Sequence, residues 1–491
     1  YMGEQPGVDT ASNLNIRLIR NRRGYAYRGA IHEQIYNVHQ EVIDKTKVKI
    51  EDIIIYHYGY LNKMTIEKDK STRNMKILEK ILNLEPKDNF HLFNMGNEYL
   101  RIKNYNKALE YYEKAYRDFS PELAHSPKLL FKLVLTLDGL QMYKEEMKIL
   151  NEGLGYYPKF VDLEYLKACL YHKQKKYTLA IQGFEKCLAM EASPLTMRNI
   201  NDVEGYRSYY ALGEIHSELG DDEKAYEHYI SSLRAKSSFH LPLYRIGENL
   251  IKRGKDIETT KVMLERFFGK TLNAGAYGKL GNIFFFLKKY DVALYYFLKA
   301  HQQAKENENI YFNLGMTQFY LKNFKEAYVW FEKIKEGSNY EEAIYKRSLC
   351  KLLSNDIETG EYLLEIAAIL ENNKKREVYQ AFANLLKDCT GAVLSYDEEE
   401  SKIYVKIIFR LLQDLLQTAK PEVFEKSLQL LNLVESDAVL LELAKLYYCY
   451  GYYQLVYQEF IRSISLFQKI DKDGLEMMAN CLDFLRDAQR L

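Results

Sequence analysis

The sequence predicts a mainly α-helical fold: a right-handed solenoid, in which helical hairpins stack one on the next. Three observations carry that prediction. Gly213, Gly247, Gly281 and Gly315 recur at a constant interval of 34 residues, and a fixed period of about 20–50 residues marks a repeat array. The positions around each glycine keep their character. Leu212, Ile246, Leu280 or Leu314 stands directly before it, and Tyr209, Leu243, Tyr277 or Tyr311 four before it. Ala225, Thr259, Ala293 or Ala327 follows at twelve, and Tyr229, Met263, Phe297 or Phe331 at sixteen. Small residues let two antiparallel helices approach, and large ones fill the space between them. Finally, 491 residues exceed one ordinary core of about 100–200 residues, whereas a stack grows in one dimension.

This pattern of a large residue, Leu-Gly, a small Ala and an aromatic resembles the tetratricopeptide family, and the resemblance covers roughly residues 87–335. Leu92, Met95, Gly96, Tyr99, Ala108, Tyr112 and Ala115 fit a complete repeat. A looser repeat runs from Leu129 to Pro158, and another contains Ala168, Tyr171, Ala180 and Phe184. Met190 to Gly205 lengthens the next gap, which predicts an extended turn or a longer helix there. Residues 336–491 read as degenerate helical repeats and a C-terminal cap, since terminal repeats must close a stack. Within them Tyr404 to Leu416 has helical apolar spacing. Leu443, Ala444, Tyr447, Phe460 and Leu466 suggest a last hairpin. The acidic run Asp397 to Glu400 reads as a solvated loop.

Residues 1–60 differ. Ile16, Leu18 and Ile19, a turn at Gly24, Tyr25 and Tyr27, a turn at Gly29, and the β-branched run Val48 to Tyr56 are strand signals. So few strands make no independent core, and the chain is expected to be a piece of something longer. Residues 61–86 read as a connecting helix with Met64, Met75, Leu78 and Ile81 apolar, ended by Pro86.

Arg17-Leu18-Ile19-Arg20-Asn21, Gly24, Tyr27, Gly29, Ile31-His32-Glu33-Gln34 and His57-Tyr58-Gly59-Tyr60, followed by Lys63, Arg73 and Asn74, resemble the C-terminal part of a bacterial family 2 glycosyltransferase. That family has a GT-A fold, and some members carry a fused tetratricopeptide tail. The resemblance implies a small β-containing remnant of the glycosyltransferase domain in residues 1–60. It further implies a nucleotide-sugar donor held with a divalent metal, Mn or Mg, in the intact enzyme. No Asp-x-Asp metal motif occurs in residues 1–60, so no catalytic residue is assigned and no cofactor is expected for this fragment alone. By resemblance His32 is the metal ligand. Five arginines and no acid lie between Thr10 and His32. Guanidinium forks suit phosphate oxygens, and Arg22 and Arg23 are the donor-binding candidates. A solvated basic loop is the alternative for them, and a hydrogen-bonded structural histidine for His32. His32-Glu33 lacks the second histidine of H-E-x-x-H, since Tyr36 stands there, which rejects a zinc protease.

In the tetratricopeptide family the first helix of each repeat lines the inner face. With the glycine as position 8, positions 2, 5, 9 and 12 turn inward by family geometry. Tyr210, Glu214, Tyr244, Asn282, Phe285, Asn309 and Phe312 are therefore the partner-binding candidates, with Arg207, Ser217, Leu241, Glu248, Ile251, Met316 and Phe319 beside them. Aromatics next to amides suit an extended peptide; packing between helices is the alternative for any one ring. No matching Lys and Arg cluster accompanies them, so no clamp for a terminal carboxylate is expected.

Lys+Arg 69 against Asp+Glu 68 leaves a net charge of +1, which gives no support to nucleic-acid binding. No apolar run approaches the ~20 residues of a membrane span. Cys169, Cys187, Cys350, Cys389, Cys449 and Cys481 form no C-x-x-C pair and read as small packing residues in a reducing, cytoplasmic setting. Two functions follow. One is a glycosyltransferase fragment whose solenoid binds a protein or peptide partner or acceptor. The other is a non-enzymatic scaffold for protein–protein interaction.

Overall fold

The computed structural model describes residues 19, 22–28, 34–38, 67–194, 197–354, 363–364, 367–370, 372–389, 391–418 and 421–488. Among these the protein is mainly helical, and it divides into two compact units, Tyr1–Thr260 and Lys261–Leu491. The division falls inside the stretch that the sequence reads as one array.

In the first unit, β1 (Tyr25–Arg28) pairs antiparallel with β2 (Gln34–Asn37), with Tyr25 opposite Asn37 and Arg28 opposite Gln34. This places a strand at the expected Tyr25 and Tyr27. Of the other expected strands, Ile16, Leu18 and Val48 to Tyr56 lie outside the described residues, and Ile19 is exposed and in no strand. The connecting helix is α1 (Glu67–Leu84), anchored by fully buried Leu78.

Helical hairpins follow: α2 (Asn89–Arg101) with α3 (Tyr105–Arg117), α4 (Ser126–Gly139) with α5 (Tyr143–Tyr156), α6 (Val161–Lys173) with α7 (Tyr177–Ala189), and α8 (Tyr206–Glu218) with α9 (Asp222–Ala235). Next come α10 (Leu241–Lys252) and α11 (Ile257–Glu265), the helix in which the division between units falls. Capping fixes the starts. Asp88, Asn104 and Asp221 each accept from the backbone N–H three residues on, satisfying donors that have no partner inside the helix. The repeat glycines let the partner helix in. A Cβ on Gly96 would lie 2.5 Å from the Tyr112 ring, and one on Gly213 2.5 Å from Tyr229. In the α6–α7 hairpin the roles are exchanged, with Gly183 on the second helix meeting Ala168 on the first.

The long gap before α8 is an extended turn. Asp162, fully buried, holds it: its Oδ1 accepts from the backbone N–H of Asn199 at 2.8 Å and Ile200 at 2.6 Å, and Ser193 Oγ donates to its Oδ2 at 3.2 Å. A buried carboxylate with three donors replaces the missing helical packing.

The second unit begins with the hairpins α12 (Ala274–Phe286) with α13 (Tyr290–Gln303) and α14 (Glu308–Tyr320) with α15 (Phe324–Glu332). It continues through α16 (Tyr340–Leu353), α17 (Asn373–Leu386), α18 (Glu398–Thr418), α19 (Pro421–Leu428), α20 (Val439–Cys449), α21 (Tyr453–Phe467) and α22 (Lys472–Ala488). One apolar core runs from Phe319 through Leu349, Phe382, Ile408 and Leu412 to Phe460 and Cys481. The last hairpin is α20–α21, with Leu443, Ala444, Tyr447 and Phe460 buried and Leu466 exposed.

Two expectations are corrected. Glu398–Glu400 are the first turn of α18 rather than a loop, and Asp397 caps Glu400 N at 2.8 Å; acidic side chains at a helix N-terminus oppose its positive dipole end. Cys389 and Cys449 are exposed, while Cys187, Cys350 and Cys481 pack in the interior as expected.

Candidate functional site

The inner-face candidates fall in both units. In the first, Tyr210 and Glu214 lie one turn apart on α8, and Tyr244 sits on α10. Tyr210 is half-buried, its ring edge-on to Phe239 at 5.4 Å and tilted against Tyr229 at 5.8 Å. Tyr244 is half-buried too, and burial raises its phenol. Glu214 is tied on both oxygens. Tyr229 OH donates to Oε1 at 2.6 Å, and Arg245 Nη2 pairs with Oε2 at 3.1 Å. Arg245 also reaches Glu248 at 2.8 Å. Burial opposes the Arg245 charge, but its bonds to Glu248 and Tyr210 and the charge of Glu214 hold it above its ordinary value. The network thus carries charge of both signs on a surface edged by aromatic rings.

In the second unit, Asn282 and Asn309 are exposed. Asn282 Oδ1 accepts from Asn313 at 3.3 Å, and Asn309 Oδ1 from Asn339 at 3.0 Å. Phe285 stands edge-on to Tyr290 at 5.3 Å and to Tyr320 at 5.5 Å, and those two tyrosines stack at 5.2 Å. Phe312 is half-buried and edge-on to Phe331 at 5.9 Å. Phe319 is corrected from an inner-face residue to a core residue, since none of it is exposed. Lys346 of α16 lies over its ring at 4.7 Å, and the ring joins the core of the second unit.

The structure joins residues that sequence reading left apart. Position 9 of one repeat binds the residue two before the next glycine: Glu214 with Arg245, and Asn282 with Asn313. Those partners stood at a fixed place in the period and were legible as a column. Tyr112 OH likewise donates to Asn97 at 2.8 Å within one repeat.

Arg22 and Arg23 are exposed in the turn before β1, where Asn37 Nδ2 donates to the Arg23 carbonyl at 3.2 Å. His32 lies outside the described residues. Among those described, no group of three or more His, Cys, Asp or Glu side chains could hold a metal, so the ligand set for a donor-bound cation is not supplied by them. No described helix is long and apolar enough to cross a membrane.

The tetratricopeptide repeat family model matches residues 92–117, 164–194, 206–239 and 308–336; the chain carries tetratricopeptide repeats. It is 25% identical over 180 residues to the SPbeta prophage-derived glycosyltransferase SunS of Bacillus subtilis, covering 36% of this chain and 42% of SunS. The chain therefore spans about two fifths of that relative. A TPR repeat-containing protein of Methanocaldococcus jannaschii is 25% identical over 154 residues, which cover 31% of this chain and 24% of that protein. Among solved structures, a tetratricopeptide repeat protein from Parabacteroides merdae aligns over 53% of this chain and 98% of its own, with 15% identity and a TM-score of 0.31.

Proposed function

We propose that this chain is the C-terminal part of a family 2 glycosyltransferase of GT-A type, and that its repeats hold a protein or peptide acceptor for that enzyme. One observation carries the reading: a single chain combines tetratricopeptide repeats with similarity to the glycosyltransferase SunS. The half-buried rings of Tyr210, Tyr244, Phe285 and Phe312 offer apolar contact. Polar side chains accompany them within each unit, Glu214 in the first and Asn282 and Asn309 in the second, the combination that suits a polypeptide.

In the intact enzyme a nucleotide-sugar and a divalent cation, Mn or Mg, complete the donor site. There Arg22 and Arg23 would face the donor phosphates and His32 would ligate the cation. Positive charge at the diphosphate stabilises the leaving group. This fragment alone is expected to leave a nucleotide-sugar intact.

The test compares the full-length parent with its Tyr210→Ala/Phe312→Ala variant in acceptor binding, donor hydrolysis and melting. Weakened acceptor capture with unchanged donor hydrolysis and melting supports the reading. Unchanged capture in a normally folded variant rejects it. The second reading, a non-enzymatic repeat scaffold, draws on the similarity to the M. jannaschii repeat protein. It is favoured if the parent neither hydrolyses nor transfers from any nucleotide-sugar while still binding a protein partner.

A further inference from the structure

In the second unit, helices α16, α17 and α18 enclose a cleft of about 200 Å³. Its floor is Tyr345, stacked on Tyr379 at 5.3 Å with their planes 12° apart, and Leu370 and Ile407 add apolar walls. Its rim is charged. Lys375 crosses to Glu341 at 2.7 Å, and Arg410 crosses to Glu342 at 2.6 Å. Both acids are thereby satisfied by cations of the rim itself. Lys406, one turn before Arg410 on α18, is the third rim cation; it is exposed and has no acidic partner among the described residues.

We propose that this cleft is a docking point for an acidic peptide segment, seating one apolar side chain on the Tyr345–Tyr379 stack while an adjacent carboxylate pairs with Lys406. Size argues for a side chain, because whole small-molecule ligands occupy pockets of roughly 300–1,000 Å³. Charge argues for an acid. A basic ligand reaches Glu341 or Glu342 only by displacing Lys375 or Arg410, whereas a carboxylate meets Lys406, a cation with no acidic partner among the described residues. The floor is rigid, because Tyr345 OH donates to buried Asp414 at 2.8 Å and that aspartate is neutralised by Lys346 at 2.6 Å. Preorganised rings of this kind lose little entropy on binding. The cleft shares no residue with the inner-face candidates, so this inference stands or falls independently of the acceptor reading.

The experiment uses the whole chain and three photo-crosslinking peptides: acetyl-photoleucine-Glu-Gly-amide and its Gln and Lys counterparts. Adducts are mapped by mass spectrometry. The Glu peptide should label residues 370–379 and 403–410, at least fivefold more than the Gln or Lys peptide. Lys406→Glu, an exposed change that leaves the core untouched, should remove that preference. Lys406→Arg should keep it. Equal labelling by the three peptides, labelling spread over the surface, or a preference that survives Lys406→Glu would overturn the proposal.

Discussion

Phe297 lies so close to Gly281 that a Cβ on the glycine would sit 2.5 Å from its ring carbon Cε1. Gly315 meets Phe331 the same way at 2.6 Å. Both rings are buried, so neither can swing away cheaply. Gly281→Ala should destabilise the second unit by about 1–3 kcal/mol, the usual cost of overpacking. Gly281→Ala combined with Phe297→Leu should lose less than the two single changes together, because the smaller side chain makes room. A double-mutant cycle by urea denaturation measures this coupling.

Lys346 and Asp414 form an ion pair with side chains only 2% and 8% exposed. The Lys346 ammonium also lies 4.7 Å from the Phe319 ring centre. Removing one partner strands a charge in the interior. Lys346→Ala should therefore cost about 3–5 kcal/mol, whereas Lys346→Met with Asp414→Leu should cost less, since it strands no charge and leaves only the Tyr345 hydroxyl without its acceptor. Chemical denaturation of the three proteins decides this. Equal losses in the single and double variants would contradict it.

The His216 and His228 rings stack at 5.2 Å in the α8–α9 hairpin. Burial lowers both imidazoles below their ordinary 6.5. For His228 the neighbouring His216 adds to the effect, and for His216 Lys224 adds while Asp221 opposes. Glu185 opposes it at both rings and Glu227 at His228. A depressed histidine means that the unfolded chain takes up protons first. Stability is thus full above pH 6.5 and falls as the pH drops below it. The pair thus lowers the melting temperature as the pH falls below 6.5, and His228→Phe should melt higher relative to the parent at acidic pH than at neutral pH.

Glu146 has the opposite sign. Burial, then the charge of Asp138, raises its carboxyl from 4.5 to about 7, against a smaller pull from Lys173. Its Oε2 is buried with no partner among the described residues. The folded state holds this proton more tightly, so the stability it confers is full below pH 4.5 and is lost as the pH rises through 7. Glu146→Gln should be more stable than the parent at pH 8 by roughly 1–3 kcal/mol and close to it at pH 5. Melting curves at the two pH values check this.

The hairpin turns place one left-handed residue two positions after the first helix. Gly220 and Gly254 occupy it at φ 76° and 74°, but Lys103, Gln141, Lys175, Lys288 and Lys322 occupy it elsewhere at φ 56–63°. Side chains there are strained by about 1–2 kcal/mol, partly offset by the entropy that glycine adds to the unfolded chain. Lys322→Gly should raise stability slightly, by about 0.5 kcal/mol, and Gly254→Ala should lower it. Thermal denaturation showing the reverse order would refute the assignment of strain.

By itself the sequence determined the repeat. The interval between Gly213, Gly247, Gly281 and Gly315, and the aromatics sixteen residues on, are local consequences of one hairpin geometry, so they appear as a period in the chain. The same logic reached the hairpins α2–α3 and α20–α21 and the helical run within α18. Tertiary structure decided what crosses between distant segments. Asp162 holding Asn199 and Ile200, Lys346 finding Asp414, and Lys375 joining Lys406 and Arg410 on one rim all bring together residues far apart in the chain. It also decided that Phe319 is core and that Glu214 is shared between Tyr229 and Arg245. A repeat pattern reports the packing of each hairpin on its neighbour. It carries no information on pairs formed where the period lapses, because there the partner of a side chain is set by how the helices meet rather than by its place in a register.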